Sequence, residues 1–81
     1  MANFYLNYAS YCDNDLYCEC FGRFTDEEQV IAERNRIVER ERAEYNEDGG
    51  NFDDFIIHDT NYLFEWDDGC VKMQYRIQEI Y

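Results

Sequence analysis

The side chains best suited to metal ligation or nucleophilic catalysis are Cys12, Cys18, Cys20, Cys70 and a single histidine, His58. Cys18 and Cys20 form a Cys-x-Cys pair, whereas structural zinc sites pair ligands across about two to four intervening residues, so no metal is expected. On a strand these two thiols share a face and do not readily bridge each other. Buried free thiols are the expected state of the cysteines. His58 neighbours Asp59, but adjacent strand residues point to opposite faces and make no dyad. Asp13-Asn14-Asp15 begins like a calcium loop, yet Cys18 stands where that loop requires glycine and Phe24 where it requires its closing glutamate. Gly-x-Ser-x-Gly, His-Glu-x-x-His and phosphate-cradling glycine loops do not occur. The chain reads as non-enzymatic, with no cofactor.

Carboxylates are the other chemically active population. Nineteen Asp and Glu oppose seven Lys and Arg, a net charge of −12 over 81 residues. Such a field repels nucleic acid phosphates and anionic membranes, so direct contact with either is not expected. It attracts a basic protein surface and speeds encounter with one. Six acids, Glu44, Glu47, Asp48, Asp53, Asp54 and Asp59, fall in one stretch free of Lys and Arg, and Glu65, Asp67 and Asp68 lie near the last turn. These nine are the candidate partner-binding residues. Phe52, Phe55, Tyr62 and Trp66 stand among them, and carboxylates around aromatic anchors suit Arg and Lys through charge-assisted bonds and cation–π contacts. Trp66 itself is expected in the core, because large aromatics dominate small cores.

The elements that must position these residues follow from periodicity. Asn3–Cys12 alternates as a strand, Asp13-Asn14-Asp15 reads as a three-residue turn, and Leu16–Phe24 as the returning strand. That register gathers Phe4, Leu6, Tyr8, Leu16, Cys18, Cys20 and Phe24 on a core face. Tyr5, Tyr11, Tyr17 and Phe21 then form the opposite face, a candidate surface for a homodimer. Thr25 with Glu28 reads as a capping box opening an amphipathic helix that ends near Asn46. Its apolar stripe is Val30, Ile31, Ile37, Val38 and Tyr45, with Arg34 and Glu41 between. After a Gly-rich loop, a third strand spans Phe52–Asp59. Tyr62–Asp67 and Cys70–Ile80 form a hairpin about Asp68-Gly69, with Trp66 opposite Val71 and Glu65 ion-paired to Lys72. One antiparallel sheet of four to five strands with a helix on one face results: a single α+β domain over residues 1–81, in the order β-β-α-β-β-β. Strand order is not readable from the pattern.

No basic, apolar leader opens the chain and no run approaches the ~20 apolar residues of a membrane helix, so a cytoplasmic location is expected. In size, charge and the acid-rich stretches Glu44–Asp59 and Asp67-Asp68, the chain resembles small acidic phage-encoded inhibitors of host defence, the anti-CRISPR and DNA-mimic anti-restriction proteins. That resemblance implies an inhibitor in the host cytoplasm. It would bind the nucleic-acid-binding surface of a nuclease complex or similar protein, its carboxylates standing in for phosphates. The alternative is a small homo-oligomeric structural or adaptor module assembling through the aromatic sheet face of Tyr5, Tyr11, Tyr17 and Phe21.

Overall fold

A computed structural model describes residues 2–81. Two ten-residue strands, β1 (Asn3–Cys12) and β2 (Asp15–Phe24), precede helix α1 (Glu27–Glu47). A 3-10 turn at Phe52–Phe55 leads into β3 (Ile56–Asp59), β4 (Leu63–Asp67) and β5 (Val71–Ile80). The five strands form one antiparallel sheet in the order β2-β1-β5-β4-β3, with α1 packed on one face. This is the two-layer α+β architecture that the sequence pattern calls for.

The helix is held by a buried stripe of Val30, Arg34, Ile37 and Val38 at helical spacing. It covers Phe4 and Leu6 of β1, Phe64 and Trp66 of β4, and Met73, Tyr75 and Ile77 of β5, all buried. Arg34 sits inside this stripe because its guanidinium donates to the Thr60 carbonyl at 2.6 Å and lies 3.7 Å from the Asp59 carboxylate. Burial pushes its pKa down and Asp59 opposes that shift. The expected capping box is replaced by a cap one residue later. Asp26 has extended backbone angles and its carboxylate accepts from the Glu28 N–H at 2.8 Å. Thr25 therefore lies outside the helix, and Asp26 satisfies one of its orphan donors.

The first hairpin corrects the expected faces. Asp13 and Asn14 both adopt positive φ, 52° and 68°, so they close a two-residue turn with Cys12 opposite Asp15. A turn shorter by one residue reverses the facing of every residue that follows. Leu16, Cys18 and Cys20 thus face away from the helix, beside Tyr5 and Tyr11. Tyr17 and Phe21 face the helix side, where both rings approach Tyr8, at 6.2 and 6.1 Å. The four aromatics expected on one face are therefore split between two. A bulge restores the phase: Leu6 alone on β1 faces Phe21 and Gly22 on β2. Gly22 takes φ 123°, which a side chain would resist, and Phe24 returns to the core side. The cysteines are free as expected but not buried: Cys18, Cys20 and Cys70 are exposed and Cys12 is half-buried.

Two further corrections concern the C-terminal half. Phe52 opens the 3-10 turn, not a strand, because its N–H donates to Asn46 Oδ1 at 2.9 Å and Asp54 N–H to the Asn51 carbonyl at 3.2 Å. The strand is thereby confined to Ile56–Asp59. In the last hairpin the register is displaced by two residues: Trp66 faces Met73, Glu65 faces Gln74, and Asp67 faces Lys72. The turn has moved on by one residue, from Asp68-Gly69 to Gly69-Cys70: the Asp68 N–H donates to the Val71 carbonyl at 3.3 Å, and the Asp68 carboxylate organises the bend, as described below. A two-residue displacement preserves parity, so Phe64, Trp66, Met73, Tyr75 and Ile77 still share the core face.

Candidate partner-binding surface

Three connections meet at one end of the molecule, and strand order brings them there. Because β5 lies between β1 and β4, the β1–β2 turn lies beside the β4–β5 loop. A cleft of about 490 Å³ between them is lined by Tyr11, Asp13, Asn14, Asp67, Gly69, Cys70, Val71 and Lys72. The C-terminal end of α1 joins the same end: Tyr45 Oη donates to Asp68 Oδ2 at 3.5 Å. Gly50 lets the chain turn there, since a Cβ at that position would collide with the Tyr45 ring. Below this end lies an aromatic stack. Phe52 is nearly parallel to Trp66, with centroids 5.0 Å apart, and Tyr45 meets Trp66 edge-on at 5.0 Å. Trp66 Nε1 donates to the Phe52 carbonyl at 2.7 Å, so the buried indole is satisfied.

Seven of the nine candidate acids gather at this end: Glu44, Glu47, Asp48, Asp53, Asp54, Asp67 and Asp68. Their roles differ. Asp53 is held by Arg42 at 2.8 Å, and Arg42 also pairs with Glu39. Asp68 accepts from the N–H groups of Cys70 and Val71 at 2.9 and 2.8 Å, while Asp67 accepts from Gly69 at 2.8 Å. Those bonds, from Val71 foremost, hold the Asp68 carboxyl below the usual aspartate range. Glu44, Glu47, Asp48 and Asp54 are exposed, and none of the four ion pairs among the described residues includes them. Glu44 and Glu47 occupy the last turns of α1, where no basic residue stands. The helix itself presents its negative end there, so the protein field and these acids reinforce each other. Glu41, one turn earlier and half-buried, has its pKa raised by burial and by Glu44.

Two candidates lie elsewhere. Asp59 ends β3 beside Arg34, and Glu65 lies on the outer sheet face opposite His58 and Gln74. The structure adds Asp13 and Asp15, exposed at the β1–β2 turn. Their types were plain in the sequence, but their membership of this end depends on strand order, which no local signal carries.

Of the seven basic residues, two reach this pole: Arg42, bound to Asp53, and Lys72, opposite Asp67. Four of the seven are on α1, and the remaining three, Arg23, Lys72 and Arg76, share the outer face of the sheet. Among the described residues, no three His, Cys, Asp or Glu side chains converge to hold a metal ion. No helix is long and apolar enough to cross a membrane. Compared with family models, curated proteins and solved structures, the chain matches none of them.

Proposed function

We propose that this protein is a non-enzymatic inhibitor or adaptor. It docks its negative pole onto a basic, nucleic-acid-binding surface of another protein, such as a host defence nuclease of the kind anti-CRISPR or anti-restriction proteins block. The observation that carries this reading is the gathering of unpaired carboxylates at one end of the molecule: Glu44, Glu47, Asp48 and Asp54 at the negative end of α1 and the 3-10 turn, and Asp13 and Asp15 at the β1–β2 turn. A fold gains nothing from acids at a helix C-terminus. Each opposes the macrodipole by some tenths of a kcal/mol. Carboxylates presented from a helix end and two turns can meet the Arg and Lys that normally hold phosphates. Phe52, Phe55, Tyr45 and Trp66 pack together beneath this end, which keeps it from reorganising on contact. Binding by this route is electrostatic and competes with nucleic acid.

The test uses immobilised protein and its quadruple variant Glu44→Gln, Glu47→Gln, Asp48→Asn and Asp54→Asn. Both capture partners from lysate, and the bound protein is challenged with duplex DNA and with salt. Wild type should retain a basic protein that DNA displaces. That protein should also be lost as the screening length falls from ~10 Å at 0.1 M salt to ~3 Å at 1 M. The variant should retain at most about a tenth as much. A partner held equally by the variant, or indifferent to DNA, overturns the reading. The aromatic-face oligomer loses its basis, because Tyr17 and Phe21 lie on the opposite side of the sheet from Tyr5 and Tyr11.

A further inference from the structure

β2 is the outermost strand on its side of the sheet, with β1 on one flank and nothing hydrogen-bonded to the other. Protein sheets commonly blunt such edges with proline, lysine or a short strand. β2 has ten residues, no proline and no lysine, and its segment Asp15–Cys20 is exposed on both faces. Leu16 is 68% exposed and Tyr17 55%. The bulge that twists this strand lies farther on, at Phe21–Gly22, so Asp15–Cys20 remains a regular, open ladder.

The turn fixes which backbone groups point outward. A two-residue turn between Cys12 and Asp15 makes those two a hydrogen-bonded pair, and such pairs alternate along the ladder. Asp15, Tyr17 and Glu19 therefore bond toward β1, while Leu16, Cys18 and Cys20 direct their N–H and C=O to the free side. Any strand added here must satisfy these three residues.

We propose that β2 pairs with β2 of a second copy, antiparallel about a two-fold axis at Cys18, to make one continuous sheet. The pattern of charge selects this register. Centring on Tyr17 would set Asp15 against Glu19 twice, and centring on Glu19 would set that acid against itself; like charges directly opposed destabilise a sheet. Centring on Leu16 brings Glu19 against Asp13, and centring on Cys20 runs Cys18 into the bulge at Gly22. With Cys18 at the axis, Leu16 faces Cys20 of the second copy on either side, and the three outward residues of each chain exchange about six backbone hydrogen bonds. Tyr17 then faces Glu19 of the second copy. The Tyr17 hydroxyl already donates to the Glu19 carboxylate of its own strand at 3.1 Å, so the pairing keeps the same chemistry across the interface.

Two chains of −12 repel each other, so salt strengthens this self-association, opposite in sign to its effect on a basic partner. Failure here and failure of the proposed function are thus distinguishable. The test is sedimentation equilibrium in reducing buffer from about 0.05 to about 0.5 M salt, with amide hydrogen exchange. The expected mass is twice the 9.9 kDa of the chain, with the dimer favoured as salt rises. The amides of Leu16, Cys18 and Cys20, which a monomer leaves open to water, should become protected in step with dimer formation. Cys18→Lys opposes two ammonium groups and should weaken the dimer at least tenfold. Tyr17→Lys meets Glu19 of the second copy and should preserve it. Unchanged tryptophan emission shows that either variant is folded. A monomer at every salt concentration, fast exchange at Leu16, Cys18 and Cys20 in a dimer, or a dimer indifferent to Cys18→Lys overturns the proposal.

Discussion

Asp68 belongs to the fold as much as to the surface. Read from the sequence, it was one more carboxylate beside a turn. In the structure its carboxylate gathers the N–H groups of Cys70 and Val71 and receives the Tyr45 hydroxyl. The sequence hid this because Asp68-Gly69 equally suits the centre of a two-residue turn, and only the bonds themselves show the turn one residue further on, at Gly69-Cys70. Asp68→Ala should lower the free energy of unfolding by about 1–2 kcal/mol at pH 7, since two backbone donors lose their acceptor. Because the folded carboxyl titrates below the unfolded one, this contribution is complete above the ordinary aspartate range. It disappears as pH falls through the lower folded value. Urea titrations of wild type and variant should therefore differ at pH 7 and converge at strongly acid pH. A constant gap across that range would show that the loop is held by something other than an ionised Asp68.

At the scale of elements, the sequence was most legible where error preserves parity. The last hairpin is displaced by two residues from its expected register, yet each core residue faces as expected. The first hairpin is displaced by one through its shorter turn, and that alone moves Leu16, Cys18 and Cys20 to the outer face and Tyr17 and Phe21 to the inner. Asp13 and Asn14 carry the ambiguity: both tolerate positive φ, so two-residue and three-residue turns compete on equal composition. Gly22 was the visible sign of the compensating bulge. The helix was legible to within about a residue at each end because its stripe and its acidic first turn agree. Its C-terminus is where stability and binding oppose each other. Glu47→Lys places a cation at the negative end of α1 and should stabilise the protein by about 0.3–1 kcal/mol in urea. The same substitution should weaken capture of a basic partner. If stability and capture rise together, the helix end is not the contact.

For the whole molecule, what the sequence could not supply is the order β2-β1-β5-β4-β3. Composition announced an excess of acid, but only that order sets the β1–β2 turn beside the β4–β5 loop and makes a pole from segments remote in the chain. It also leaves β2 open on its outer side. The charged end and the open edge share the β1–β2 turn with Asp15, while Glu44, Glu47, Asp48 and Asp54 lie off that edge. The stack that underlies the pole has a practical side. Trp66 is the sole indole of the chain and only 2% exposed, wedged between Phe52 and the Tyr45 edge. Its emission should be blue-shifted in the native state and move to the red when the 3-10 turn lifts away. Phe52→Ala, expected to cost about 3–5 kcal/mol, should bring that red shift at lower urea. The protein thus carries an intrinsic optical gauge, set directly under its acidic end, with no label to attach.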